Sequence, residues 1–372
     1  MDSSLAHTPR QTGDLKHTLI YTRSGFWLMT GVLLAVLLLS IGAAVSFGQV
    51  EIPISQSYRI LLYHMTGIQI GDVQELSSGS FVDIIWKIRF PRVLMAMLIG
   101  MGLTLCGTIM QAAVQNPLAD PYILGISSGA SLGATFAILV GFGSLGVLAQ
   151  TGIAFWAFAG AVGASLLVMI LASAGGKMTS VKLVLSGMVI NALCTAFANF
   201  IVYLANNAEG IKTVTFWTMG SLAASGWSKL PLVAVFTLGA SLFFMLQSRI
   251  LNTMLLGDEA AVTLGINLST CRRWYMVLTA LVTGVMVSAC GMIGFVGLII
   301  PHVVRGMVGS DHRRLLPAAV LSGAIFLVWA DVLARTIVPN VELPIGIITA
   351  LIGAPLFMYM LIKKGYAFGG KS

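Results

Sequence analysis

Residues 92–114 read RVLMAMLIGMGLTLCGTIMQAAV, an apolar run that contains a single charged residue, Arg92. An α-helix rises about 1.5 Å per residue, so a helix over this range extends slightly beyond the ~30 Å hydrocarbon core of a bilayer. The run therefore predicts a transmembrane helix, and with it a membrane protein rather than a soluble one.

The composition of the whole chain agrees with this prediction. The chain has 372 residues, of which 57% are hydrophobic and only 9% are charged, whereas about 25% of the residues of a soluble domain are charged. The formal net charge is +8, and in a membrane protein such an excess holds loops on the cytoplasmic side. Because no basic run alternates with aromatic residues, we expect no binding to nucleic acid.

Similar apolar runs predict about ten transmembrane helices, and thus an all-α integral membrane protein. The first run follows Arg10, Lys16 and Arg23, and its length indicates a retained helix rather than a cleaved signal. One continuous apolar stretch is divided at Gly291–Gly294. The predicted spans are 26–47, 92–114, 123–143, 151–174, 182–205, 230–247, 274–291, 293–309, 316–336 and 344–362.

Ten spans place both termini on one side of the membrane. The segments on that side hold twice as many lysine and arginine residues as the segments on the other, so the positive-inside rule assigns both termini to the cytoplasm. The chain would then comprise a cytoplasmic tail (1–25), a transmembrane domain (26–364) and a second cytoplasmic tail (365–372). Residues 48–91 are expected to form an outer cap, and residues 248–273 a long inner loop.

A weak internal repeat relates the second and seventh predicted spans, which would run in opposite directions. Such inverted repeats are common in transporters. Arg89, Cys106–Gly107, Ile109 and Pro117 recur with the same spacing as Arg273, Cys290–Gly291, Ile293 and Pro301.

Two short motifs resemble those of enzymes. Residues 365–372 match the pattern of a phosphate-binding loop, but a membrane helix precedes them where that loop needs a strand. We therefore expect no ATPase and no catalytic residue in this chain. The sequence Gly125-Ile-Ser127-Ser128-Gly129 matches a serine-hydrolase motif. Small residues that allow close helix packing are the favoured interpretation, and an intramembrane serine hydrolase is the alternative.

Charged residues are scarce within the predicted spans, and the clearest is Asp331, toward the outer end of the ninth span. Ion-coupled carriers usually place charged groups near the membrane midplane, so this scarcity disfavours proton or sodium coupling. The four cysteines form no Cys-x-x-Cys pair, and we interpret them as packing residues rather than a disulfide framework or a metal site.

The inner loop contains a candidate helix, Asp258-Glu259-Ala260-Ala261, followed by Gly265. Acidic residues favour the first turn of a helix, and glycine favours its end. A short helix on the cytoplasmic face can dock into a groove of another protein; an ordinary solvated loop helix is the alternative.

The chain resembles the permease subunits of the ABC importers for iron chelates (siderophores), haem and cobalamin, known as type II importers. Glu259-Ala-Ala-x-x-x-Gly265 is similar to the coupling helix of ABC importers. The rest of the resemblance extends over residues 26–364. It is carried by Arg89-Phe-Pro-Arg92, Gly107-x-x-Met110-Gln111, Asn116-Pro-Leu-Ala-Asp-Pro121, Leu124-Gly-Ile-Ser-Ser-Gly129, Gly294-Phe-Val-Gly-Leu-Ile-Ile-Pro301-His-Val-Val-Arg305, Asp311-His-Arg313, Ala330-Asp331 and Glu342-Leu-Pro344-Ile-Gly346.

This resemblance implies a homodimer of ten-helix subunits that imports its substrate by alternating access. Two cytoplasmic ATP-binding subunits would hold ATP and Mg and contact Asp258, Glu259, Ala260, Ala261 and Gly265, so this chain would bind no cofactor itself. An extracytoplasmic substrate-binding protein would dock at Arg89, Arg92 and Arg335. For these arginines, anchoring to lipid headgroups is the alternative.

The resemblance also implies a cytoplasmic gate formed by Asn116, Leu118, Thr179 and Ser180, for which helix capping is the simpler interpretation. The implied location is a bacterial or archaeal plasma membrane. We expect a ferric siderophore as the substrate, with haem or cobalamin as the alternative. An ion-coupled secondary carrier is the rival class.

Overall fold

The computed structural model describes residues 23–140, 148–174, 178–257, 263–265 and 267–364. In this part of the chain the only regular structure is helical. In chain order the helices are α1 (Arg23–Ser46), α2 (Ile54–Thr66), α3 (Val73–Ser77), α4 (Phe90–Val114), α5 (Ile126–Leu139), α6 (Leu148–Ser173), α7 (Ser180–Leu204), α8 (Ala208–Thr218), α9 (Leu230–Leu246), α10 (Ser248–Leu255), α11 (Leu268–Cys290), α12 (Val296–Val308), α13 (His312–Thr336) and α14 (Ile345–Lys364).

Each predicted span coincides with a helix, which confirms the all-α membrane fold. Six helices of the described part are long and apolar enough to cross a bilayer, or seven if α9 and α10, which meet at a 63° bend, form one span. Three shorter apolar helices, Ile126–Leu139, Val296–Val308 and Ile345–Met360, occupy the remaining predicted spans. Helix length alone therefore does not establish the count of ten.

The second span begins earlier than the sequence indicates. A short turn (Ser80–Val82) and a π-helical segment (Asp83–Arg89) run directly into α4, so that Ser80–Val114 is one helix of 35 residues. Charged residues in the first turns hide this extension from a search for apolar runs. Part of the predicted outer cap is therefore the end of a transmembrane helix, and α2 and α3 make up the remaining helical part.

The predicted division near Gly291 is confirmed. Helix α11 ends at Cys290 because Gly291 adopts φ 72° and ψ −162°, a conformation that residues with a Cβ rarely reach. A Cβ at Gly291 would also lie 2.2 Å from the carbonyl oxygen of Trp217. Ser221 donates its N–H to the Cys290 carbonyl at 2.7 Å, which satisfies a carbonyl at the helix end.

Helix α4 is the centre of the fold, and it packs against α9, α11, α12 and α13. Helices α4 and α11 are antiparallel, as the predicted repeat requires. Arg272 near the start of α11 bonds to Ala113 near the end of α4, while a Cβ at Gly102, earlier on α4, would contact Met286 near the end of α11. The repeat itself stays a prediction.

Candidate functional site

An ionic cluster lies where the C-terminal end of α13 meets the start of α4. Arg92 donates from Nε to Asp331 Oδ1 at 2.8 Å and from Nη1 to Glu342 Oε2 at 2.8 Å. Arg335, one turn after Asp331, places its Nε 3.1 Å from Asp331 Oδ2. Asp331 is fully buried. Because a buried carboxylate must be paired, Asp331 is the anion around which this end of the bundle is assembled.

The same cluster holds the C-terminal end of α1. Arg335 donates to the carbonyl oxygens of Ala44 and Phe47, both at 2.7 Å, and Arg89 donates to the carbonyl oxygen of Ser46 at 2.9 Å. The last carbonyls of a helix have no partner within the helix, and cations are favoured beside them. These guanidinium groups therefore fasten α1 to α4 and α13.

The structure thus brings together the three arginines that were predicted to dock a binding protein. Arg89 and Arg92 are each 5% exposed and Arg335 is 3% exposed, and all three have partners within the chain. This geometry favours a structural role, and docking stays a prediction. The member of the cluster that reaches the surface is Glu342, whose side chain is 44% exposed; the sequence contains its motif but gives no sign of its pairing with Arg92.

The predicted gate residues Asn116 and Leu118 lie at the opposite end of α4. Asn116 Oδ1 accepts the Leu118 N–H at 2.9 Å, which closes a tight turn after the helix. Asp120 makes a similar turn by accepting the Tyr122 N–H at 2.9 Å. Burial raises the pKa of the Asp120 carboxyl to about 6, although that hydrogen bond acts in the opposite direction.

The other predicted gate residues, Thr179 and Ser180, begin α7. Thr179 caps this helix by accepting the Lys182 N–H at its Oγ1, at 3.3 Å. Leu183, in the first turn of α7, shares a buried cluster with Ala119, so both halves of the predicted gate lie at the same end of the molecule. The observed side-chain bonds are those of turns and caps, and the gating role stays a prediction.

The predicted coupling residues Asp258, Glu259, Ala260 and Ala261 lie outside the described residues. Gly265, which follows them, is exposed and has φ 74°, as expected for a residue that ends a helical turn. Helices α10 and α11 flank this segment. Both meet the end of α4 opposite the ionic cluster, because Gln115 bonds to the Met254 carbonyl at 2.6 Å and Arg272 bonds to the Ala113 carbonyl at 2.6 Å.

An exposed row of polar side chains on α7 was not predicted. Asn191, Thr195 and Asn199 follow one another at intervals of four residues and therefore share one face of the helix. All three are exposed, within a helix apolar enough to span a membrane, and Asn191 and Thr195 lie in its middle turns. The four-residue period of polar residues within an apolar run is the sequence signal that would have found them.

Other exposed helices differ from α7 in their middle turns. The middle turns of α1, α6 and α9 expose apolar side chains, and the polar residues of α9, Thr237 and Ser241, are buried. Transfer of an amide group from water into the hydrocarbon of a bilayer, without a hydrogen-bond partner, costs a free energy of roughly several kcal/mol. The polar row of α7 therefore faces water or another protein surface rather than lipid.

The serine-hydrolase alternative receives no support from Ser127. This residue lies in the first turn of α5, which follows a 3-10 turn (Pro121–Leu124) rather than a strand. A Cβ at Gly129 would lie 2.2 Å from the carbonyl oxygen of Gly160 in α6. The small residues of the motif allow α5 and α6 to approach closely, as the packing interpretation predicted.

Six or seven helices of the described part are apolar enough to cross a bilayer. Together with the polar face of α7, the ionic cluster at one end and the capped turns at the other, they define a multi-pass membrane protein. The chain belongs to the FecCD transport family, whose model matches residues 33–363. Members of this family are permease subunits of ABC importers. They are transport components rather than catalysts, and they act with ATPase and binding-protein partners.

Curated relatives carry the names of several substrates. The chain is 40% identical over 281 residues to the hemin transport system permease protein HmuU of Yersinia pestis, covering 75% of this chain and 84% of the relative. It is 38% identical over 280 residues to the vitamin B12 import system permease protein BtuC of Citrobacter koseri, covering 75% and 83%. It is 36% identical over 330 residues to the molybdate import system permease protein MolB of Haemophilus influenzae, covering 88% and 94%.

The fold also matches a solved structure. An inward-facing conformation of a proposed metal-chelate type ABC transporter superposes with a TM-score of 0.76 and 30% sequence identity, covering 90% of this chain and 98% of the other. The recognition of the family from sequence motifs is thereby confirmed.

Proposed function

We propose that this chain is the permease subunit of an ATP-driven importer that carries an iron chelate into the cytoplasm, with a ferric siderophore as the first candidate and haem or cobalamin as the alternative. Two copies of the chain would enclose the pathway in a bacterial or archaeal plasma membrane, with both termini in the cytoplasm. Two ATP-binding subunits would supply the energy, and an external binding protein would deliver the substrate.

The observation that carries this proposal is the polar row of α7. A second copy facing this helix would enclose the row and keep Asn191, Thr195 and Asn199 away from lipid. Their amide and hydroxyl groups both donate and accept hydrogen bonds without carrying a charge. Such a surface can form hydrogen bonds with a large solute and still bind it weakly enough for the solute to move along the pathway.

The chemistry of this row favours a bulky chelate over a small oxyanion. A chelate with carbonyl and hydroxyl groups on an apolar body is matched by amides beside exposed apolar residues, such as Met188 on the same helix. A compact dianion such as molybdate would be matched by cationic groups, and the exposed middle of α7 carries none.

The energy would enter through the segment that contains Glu259. ATP would close the partner subunits, the coupling segment would move with them, and the helices would rock to open the pathway on the other side of the membrane. The role of this chain is then to convert that movement into alternate exposure of the α7 face.

Reconstitution in liposomes tests the proposal. The purified chain, its ATPase and its binding protein are assembled, and ATP-dependent uptake of a ferric siderophore, haem, cobalamin and molybdate is measured side by side. Uptake of one chelate that stops without ATP is the expected result. Uptake that continues without ATP and follows an ion gradient would identify a secondary carrier, and selective uptake of molybdate would contradict the chelate assignment.

A further inference from the structure

Three side chains fasten the helix before the coupling segment to the N-terminus of α13. Asn252 of α10 donates from Nδ2 to Asp311 Oδ1 at 2.6 Å. The Oδ1 atom of Asn252 lies 2.8 Å from the His312 backbone nitrogen and 2.9 Å from His312 Nδ1. Because Oδ1 is an acceptor, the ring carries its proton on Nδ1. We name this group, Asn252, Asp311 and His312, the inner clamp.

The inner clamp is built into both elements. Asp311 also accepts the Arg313 N–H at 3.0 Å and thereby caps α13. Burial acts against its ionisation, but the bonds from Asn252 and Arg313, with the charges of Arg313 and Arg314, hold the pKa of Asp311 below its usual value. His312 is completely buried. Asn252 therefore bonds simultaneously to the cap and to the first residue of α13.

Helix α10 has little freedom to move without α13. Its buried face, Leu251 and Met254, packs in a cluster that includes Leu316 and Val320 of α13. The bend before it is tied to α11 by a bond between Tyr275 Oη and Gln247 Oε1, at 3.2 Å. The predicted coupling segment is separated from α10 by two residues, so the chain connects a displacement of that segment directly to this joint.

Helix α13 extends from the inner clamp to the ionic cluster at the other end of the bundle. It is one helix of 25 residues, and the rise from Asp311 to Asp331 is about 30 Å. One continuous helix is a physical element that can carry a displacement between two sites, provided that both sites are fixed to it. The inner clamp fixes one end, and the ion pairs of Asp331 fix the other.

We propose that Asn252 is the positioning residue that couples the ATP-driven movement of the coupling segment to α13. This inference rests on the proposed function, because it assumes that the coupling segment contacts an ATPase. In it, the inner clamp makes α10 and α13 move as one body, so that the segment cannot shift without shifting the outer ionic cluster. Weakening the clamp would let the partner ATPase turn over without moving the pathway.

The inner clamp permits a test in which the side chains of residues 252 and 311 are exchanged. In Asn252→Asp, a carboxylate would face Asp311 at hydrogen-bond distance, and the two charges would repel each other and open the joint. In Asp311→Asn, the new amide oxygen could still accept from Asn252 and still cap α13, so the clamp would persist. In the double exchange N252D/D311N, the amide nitrogen of residue 311 could donate to the new carboxylate, which would also accept both His312 bonds. Because Asp311 Oδ1 accepts both from Asn252 and from the Arg313 N–H in the wild type, the amide of residue 311 must turn so that its oxygen, rather than its nitrogen, caps α13.

The measurement is the ratio of substrate uptake to ATP hydrolysed in the reconstituted complex. We expect Asn252→Asp to lower this ratio about tenfold, within the range typical of coupling between sites. Asp311→Asn should change it little, and the double exchange should restore it. Chain level in membranes and recovery of the complex with its ATPase are measured alongside, and Asn252→Ala serves as a second variant should Asn252→Asp not assemble.

The outcomes separate the two proposals. Wild-type uptake that needs no ATP would overturn the proposed function before any variant is compared. ATP-dependent wild-type uptake with an unchanged ratio in Asn252→Asp and Asn252→Ala would overturn the coupling role alone. A lowered ratio that the double exchange fails to restore would show that the effect does not pass through the bond between residues 252 and 311, and would also overturn it.

Discussion

At the scale of single residues, Asp331 joins α13, through Arg92, to α4 and to the segment that holds Glu342. It is the fully buried anion between two buried guanidinium groups, those of Arg92 and Arg335. Removing one partner of a buried ionic group costs about 3–5 kcal/mol, because the remaining charge stays desolvated. We therefore expect Asp331→Ala to lower the thermal unfolding temperature of the detergent-purified chain substantially.

The matched control is Asp83→Ala at the same end of the molecule. Asp83 pairs with Lys87 at 2.8 Å, but the two side chains are 58% and 67% exposed. Exposed pairs contribute less than about 1 kcal/mol, so this variant should unfold near the wild-type temperature. Equal unfolding temperatures for Asp331→Ala and the wild type would show that the cluster does not hold the bundle together.

The sequence could identify these residues as unusual, but it could not predict their arrangement. A charge is conspicuous in so apolar a chain, which is why Arg89, Arg92, Arg335 and Asp331 all attract attention. Arg92 and Asp331, however, are separated by 239 positions. Their pairing and burial depend on how α4 packs against α13. A resemblance in sequence motifs does not reveal whether an arginine already bonds to partners within its own chain.

At the scale of the helices, close contact between α4 and α12 depends on glycine. A Cβ at Gly107 would lie 1.8 Å from the carbonyl oxygen of Gly297, so a methyl group there would force the backbones apart. Overpacking of this kind costs about 1–3 kcal/mol. We expect Gly107→Ala to lower the unfolding temperature in detergent, whereas Gly239→Ala in α9, where nothing lies within 4 Å of the added atom, should not. A wild-type unfolding temperature for Gly107→Ala would contradict the observed contact.

A second prediction at this scale concerns the polar row of α7. If its polar row faces a water-filled pathway, single cysteines at Asn191, Thr195 and Asn199 should react with a water-soluble, membrane-impermeant maleimide in a chain with Cys271→Ser. Cysteines at Leu193 and Phe197, on an apolar part of the same exposed surface, serve as controls and should react much more slowly in lipid. Equal labelling of the two groups would show that the row does not line an aqueous pathway.

The helices were predictable from sequence where the apolar run is long. They were not predictable where charged residues interrupt the run or where the helix is short. The division at Gly291 was predictable because glycine tolerates the conformation that ends α11. The start at Ser80 was not, since Asp83 and Lys87 interrupt the run that leads into α4. Helix α8 (Ala208–Thr218) was also missed. It is short, and Glu209 and Lys212 interrupt its apolar residues, so it lacks the long apolar run by which the other helices were recognised.

At the scale of the whole molecule, the two ends of the bundle are held together by different interactions. The end that holds Asp331 is fixed by buried ion pairs, while the opposite end carries turns, caps and the helices α10 and α11 that flank the predicted coupling segment. We expect Glu259→Arg to lower uptake per ATP hydrolysed strongly, because a reversed charge would disturb docking of the coupling segment to the ATPase. The control is Glu209→Arg, which changes an exposed acidic residue in the first turn of α8, at the end of the bundle opposite the predicted gate. An unchanged ratio in Glu259→Arg, or an equal loss in both variants, would mean that energy does not enter through the 258–265 segment.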